Sequence, residues 1–486
     1  MLEQAIGAGD LIVARDAAMQ LWQAGERRFD AQMVLLVDAM RRSDWKAARE
    51  YIGGRADKTG GDAMSRLIQP PINAWIDAGL REKMPERHLL IANARGRTEP
   101  AMALEAVLVQ LVAKRPADAV SLTDSIVLTD RMSQLVALRV AATLDKAGEA
   151  AAAGRLRGRI ALAAGTRDDP MLLLPDQAIS TPREGTAQWL AMLGDGFART
   201  PNGGTKIPML FARAAFWLDD QDWTVRSALI EALDRDGRAS AAAVLLESKN
   251  TPLPPVLQMR RAEFMADAGD LAGAVKLAEA AMVGEDPARS MLVRFADIAR
   301  RSGDKAAAAR AYAQLEATLG EGDEEQALRG TLLIARAQLL LEADDWDAAH
   351  PLIEKAVALR PGDASVLNFA GYSAIERRKD VEKSLARIEA AWNEEPQSPS
   401  ITDSLGWAYF LTGRAEEAVP LLEKAQGGEP DNAVIVEHLG DAYWQVGRKF
   451  QARYTWRAAA LLAEADMATR LETKLRDGLT PATIAP

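Results

Sequence analysis

The sequence predicts an all-α solenoid, a superhelix of helix–turn–helix units closed by a C-terminal capping helix. Three observations predict it. A pattern of residues recurs every 34 positions toward the C-terminal end. Ala and Leu dominate a composition that is 48% hydrophobic and only 5% aromatic. Long Val/Ile/Thr alternations, the mark of half-buried strands, do not occur.

The recurrence is clearest in residues 399–464. Leu405-Gly406 returns as Leu439-Gly440, Tyr409 as Tyr443, Gly413-Arg414 as Gly447-Arg448, Ala418 as Ala452 and Ala425 as Ala459, each 34 residues on. Gly406 and Gly440 fall mid-helix, where Gly is less favourable than Ala by about 1 kcal/mol. The missing side chain lets a second helix approach, and the paired Ala residues give that helix a small face. Gly413 and Gly447 fall where the first helix stops, and Pro430 ends the second. This period and these residue types resemble the tetratricopeptide repeat (TPR), a two-helix unit that stacks into a solenoid.

Outward from that stretch the same register continues, blurred. Residues 1–164 read as divergent TPR-like repeats. Gly9-Asp10 stands at a turn with Ala14 at the small position, which leaves about half of a first helix. Upstream residues, such as an export signal or lipid anchor, are therefore expected. Ala48 follows Ala14 by 34 residues. Residues 53–71 form a longer link. A weak repeat over 94–116 puts Ala101 at the small position, and a better one pairs Gly148 with Ala153. Residues 165–207, rich in Pro and Gly, predict an irregular connector or hinge around a short helix at 186–199. Residues 208–464 then form the C-terminal array, with turn and small residues at Gly237/Ala242, Gly269/Ala274 and Gly303/Ala308, small residues at Ala349 and Ala356, and one extra turn residue after Gly371. Residues 465–479 predict a solvating C-terminal capping helix and 480–486 a flexible, frayed tail.

Composition excludes several functions. A net charge of −10 argues against nucleic-acid and anionic-membrane binding. The absence of cysteine removes disulfides, thiolate metal sites and cysteine nucleophiles. No apolar run is long enough for a membrane-spanning helix, and residues 1–10 lack the pattern of a signal peptide. Membrane association therefore requires an upstream anchor. The compartment is periplasm or cell envelope if an upstream signal exists, and cytoplasm otherwise. His88, His350 and His438 are scattered and expected at the surface or in helix packing. GGRADKTGG at 53–61 has Asp57 before Lys58, where a phosphate loop needs Gly. No catalytic set, metal site or cofactor motif is found, so the chain is expected to be non-enzymatic. An unrecognised site in 53–71 or 165–207 is the enzyme alternative.

What remains is a surface. First helices line the concave groove of a TPR solenoid. Counting from the small Gly places Asn368, Tyr372 and Glu376, then Asp403, Trp407 and Phe410, then Glu437, Asp441 and Trp444 on that face. The repeat's own packing positions are already filled by Leu405, Tyr409, Leu439 and Tyr443. Trp407, Phe410 and Trp444 are therefore either inter-repeat packing or anchors for a partner peptide. Lys449, Arg453 and Arg457, spaced at i, i+4 and i+8, read as a solvated basic stripe or a contact for an acidic partner or lipid headgroup.

Over about the last 110 residues the sequence resembles a narrower bacterial group. The residues that carry this are Leu367-Asn368, Gly371-Tyr372-Ser373, Asp403 to Tyr409, His438 to Trp444, and Trp456. The group is similar to envelope TPR lipoproteins of Gram-negative bacteria, some of which are adaptors for carboxy-terminal processing proteases. The resemblance implies a protein–protein scaffold with protein or peptide partners, including such a protease. The alternative is a self-assembling solenoid joined through its open ends.

Overall fold

The structure, a computed structural model, describes residues 1–52, 63–90, 98–163, 169–200, 204–247, 252–282 and 287–485. These residues form 26 α-helices and two short 3-10 turns, with no strand among them. The phosphate-loop-like stretch 53–61 lies outside the described residues. The chain divides into two compact units, Met1–Ala307 and Ala308–Pro486.

A single local device builds both units. The first helix of a pair ends in a residue with left-handed backbone, and a buried small residue follows five positions later on the second helix. Gly413 with Ala418 and Gly447 with Ala452 show the expected form. The left-handed residue need not be Gly. Ser43, Lys114 and Asp344 occupy the same place, at φ 58°, 63° and 57°, ahead of buried Ala48, Ala119 and Ala349. This corrects one register. The small residue of the repeat near 100 is Ala119, on the Pro116–Ser125 helix, whereas Ala101 lies half-buried on the first helix, Pro100–Val112. Lys114 hides this turn, because a long cation is not a sequence signal for left-handed backbone.

The two compact units meet in sequence at Ala307/Ala308, and positions 165–207 fall within the first. The helix expected there is longer, Pro182–Ala198, and is deeply buried on Trp189, Leu190 and Met192. Pro182 starts this helix instead of breaking it. It follows Thr181, whose hydroxyl accepts from the Glu184 amide at 3.2 Å. The helix packs on Ala63–Gly79, Pro100–Val112, Lys206–Leu218 and Trp223–Arg235. It thus occupies the interior of the first unit.

That unit also closes on itself. The Leu2–Ala8 helix buries Leu2, Ala5 and Ile6 and packs on Lys206–Leu218. Arg213 donates to the carbonyls of Ile6 (3.2 Å) and Gly7 (3.1 Å), capping the end of that helix. Burial, reinforced by nearby Arg238, pulls the Arg213 guanidinium down to about 10. In a regular solenoid each repeat touches only its neighbours. These bonds join residues more than 200 positions apart.

The second unit is the regular one. Its helix pairs are Asp323–Leu341 with Trp346–Leu359, Ala364–Ile375 with Val381–Glu394, Pro399–Leu411 with Ala415–Gly428, and Ala433–Gln445 with Lys449–Leu462. Ala465–Asp477 follows as the capping helix. Gly440 performs the predicted role, since a Cβ there would lie 2.4 Å from the Trp456 ring. The capping helix docks on the last repeat, with Leu471 and Lys474 both wholly buried. The tail differs from expectation. Residues 480–485 are seated rather than frayed, with a turn closed by Thr483 N–H donating to the Thr480 carbonyl at 2.9 Å and Ala485 buried.

Candidate functional site

The nine residues expected on the concave face lie on three successive first helices of the second unit, Ala364–Ile375, Pro399–Leu411 and Ala433–Gln445. The repeat register that places their Cα atoms is the one set by Gly371, Gly406 and Gly440. Asp403, Trp407, Phe410, Glu437 and Asp441 are buried, and Asn368, Tyr372, Glu376 and Trp444 are half-buried. As the protein stands, this face is covered.

Trp407 is the centre. Its ring stacks on His438 with centroids 3.9 Å apart and on Phe410 at 4.6 Å, both within 10° of parallel. Nδ1–H of His438 donates to both oxygens of Asp403 at 3.0 Å, which fixes the imidazole flat against the indole. His438 therefore serves packing, as its isolation in the sequence implied. Tyr372 packs against the same cluster. Burial pushes the Glu376 carboxyl up, beyond what Tyr372 and Arg377 pull back.

A second, charged centre lies one repeat on. Lys474, wholly buried on the capping helix, donates to Glu437 Oε1 and to both oxygens of Asp441, all at 2.7 Å. Arg470 forks onto Glu437 at 2.9 and 2.7 Å, and the Trp456 indole N–H donates to Asp441 at 2.9 Å. Burial alone raises Glu437, but Arg470 and Lys474 outweigh it and hold the carboxyl below its ordinary value. At Asp441 burial wins, and the carboxyl sits above its ordinary value. Sequence reasoning missed Lys474, because nothing in LETKLRDG distinguishes a buried lysine from a solvated one.

The covering segment is the chain itself. Gly478, at φ 84° and ψ −177°, reverses direction after the capping helix. It lies so close to Trp444 that a Cβ would sit 2.2 Å from the ring. Leu479, Ile484 and Ala485 then pack into the cluster of Trp407, Phe410, Leu439 and Ala442. The Ala485 N–H donates to Asp441 Oδ2 at 3.0 Å.

The predicted basic stripe divides. Lys449, exposed, and Arg453, half-buried, lie over the Trp444 ring at 5.1 and 5.0 Å. Arg457 is exposed. Beside it run Phe450, Tyr454 and Leu461, at 83%, 70% and 89% exposure. The other two histidines meet side chains: His88 Nε2 lies 2.8 Å from Asp77, and His350 stacks on Trp346 at 5.2 Å.

No family model matches the chain. It is 25% identical over 215 residues to cellulose synthase operon protein C of Xanthomonas axonopodis pv. citri, covering 43% of this chain but only 13% of that protein. The chain therefore spans a small fraction of that relative's length. Among solved structures it is similar to a tetratricopeptide repeat protein from Parabacteroides merdae (16% identity, TM-score 0.41, 51% of this chain and 94% of the other). It is also similar to YrrB, described as a TPR protein with an unusual peptide-binding site (16% identity, TM-score 0.29, 37% and 90%). At these TM-scores the superpositions carry no argument. The TPR-type fold rests on the helix pairs and their 34-residue register.

Proposed function

We propose that this chain is a non-enzymatic scaffold that binds other proteins or peptides through the concave face of its C-terminal repeats. One observation carries the reading. Three consecutive first helices carry Tyr372, Asp403, Trp407, Phe410, Glu437, Asp441 and Trp444, with Tyr372, Trp407 and Phe410 meeting in one cluster beside carboxylates. Aromatic residues ringed by polar groups are the usual anchors of protein recognition. A narrower role, delivery of substrates to an envelope protease, rests on the resemblance of the last 110 or so residues to adaptors of that kind. No helix among the described residues is long and apolar enough to cross a membrane.

Capture on the full chain, followed by cross-linking and mass spectrometry, tests it. A reproducible protein partner cross-linked to residues 364–445 is the expected result. Loss of every partner, from soluble and membrane fractions alike, contradicts it. A carboxy-terminal processing protease among the partners would support the narrower role.

A further inference from the structure

We infer that residues 479–485 are an internal ligand of the C-terminal concave face, and that the site beneath them takes an extended, uncharged peptide of small and apolar residues in their place. The inference rests on the protein-binding reading above and names the chemistry of its ligand.

The contacts of the segment are those of a bound peptide. Leu479, Ile484 and Ala485 supply apolar side chains to the Trp407 and Phe410 cluster. One backbone N–H, that of Ala485, is received by Asp441 at 3.0 Å. No residue of the segment is charged. It is reached through Gly478, whose left-handed φ and close seat on Trp444 make a hinge that a residue with a side chain could not.

The segment also fits the site imperfectly. The Trp407 indole N–H and His438 Nε2 are buried and have no hydrogen-bond partner among the described residues. A buried donor or acceptor left unpaired has lost its water without a replacement. A peptide that offers a carbonyl to the indole and an N–H to the imidazole gains what the internal segment leaves unmade. The carboxylates at the site are already committed: Asp403 to His438, Glu437 to Arg470 and Lys474. A charged residue in the ligand would find no counter-ion and would be desolvated. That selects for uncharged peptides.

Tethering explains why the face stays covered. A ligand on a short tether acts at an effective concentration of about millimolar. A free peptide with an intrinsic Kd of about 100 μM would then bind the intact chain roughly tenfold more weakly than an opened one. The test uses the full chain and a fluorescent peptide of residues 479–485 with blocked ends. Ala485→Glu places a carboxylate against Asp441 and should eject the segment. This variant is expected to bind the peptide at least about fivefold more tightly than the unmodified chain. Ile484→Asp should do the same, and a peptide carrying Glu in place of its last Ala should not bind. If neither variant gains peptide affinity while both keep their helical circular dichroism, the inference is overturned. That failure leaves the scaffold reading standing, since partner capture by the full chain tests it independently. If the unmodified chain binds the peptide as tightly as the variants, the segment does not occupy the site and the inference also falls.

Discussion

Single residues hold the largest local energies, and two give sharp predictions. Lys474 is wholly buried between Glu437 and Asp441. Removing its ammonium leaves Asp441 buried without a cation and Glu437 with Arg470 alone. Lys474→Met should therefore destabilise the second unit by about 3–5 kcal/mol, read as a shift in its urea midpoint. Glu105 is the second case. It is wholly buried and, among the described residues, receives only the Trp75 indole N–H, at 2.7 Å. Burial pushes its carboxyl up to about 8, against an ordinary value of 4.5. The folded chain thus keeps a proton that the unfolded chain releases. Its stabilising contribution is complete below pH 4.5 and is lost as pH rises toward 8, at roughly 1.4 kcal/mol per unit. Glu105→Gln should flatten that slope, so that its melting temperature exceeds that of the unmodified chain at pH 8 by more than at pH 5. Neither residue was legible in the sequence. A Glu and a Lys in amphipathic helices are read as solvated, and only tertiary packing decides otherwise.

At the scale of helices, the repeat register was legible wherever Gly marked the turn, and opaque where Ser43, Lys114 or Asp344 did. A non-Gly residue in left-handed backbone carries strain of about 1 kcal/mol. Lys114→Gly should therefore be neutral or stabilising by up to about 1 kcal/mol despite its place between two helices. The mid-helix glycine was read correctly, because its reason is local packing. Gly440→Ala would drive a methyl into the Trp456 ring and should cost about 1–3 kcal/mol in thermal or denaturant unfolding. The Pro182–Ala198 helix shows the opposite limit. Its flanking Pro and Gly residues read as breakers, yet Pro182 begins the helix and Gly185 admits the Trp75 ring. Proline and glycine mark irregular chain and close approach alike, and sequence alone does not separate the two.

Across each unit, the all-α solenoid was legible, but what fills its inner surface was not. In the first unit the Pro182–Ala198 helix packs among four other helices, and in the second Leu479, Ile484 and Ala485 pack on the Trp407 cluster. Periodicity reports which helices pair, because partners lie a fixed distance apart in sequence. It carries no information on a segment that returns from outside the repeat. Trp407 and Phe410 share one core cluster, and Leu479, Ile484 and Ala485 pack on it.

The central claim is that this covering is a ligand that leaves, rather than part of the core. Native-state hydrogen exchange of the Ala485 amide, held by Asp441, tests it most directly. The account predicts that this amide exchanges through a local opening at least about 2 kcal/mol easier than the opening that exposes the Pro399–Leu411 helix. Exchange of both only through the same global unfolding would contradict it.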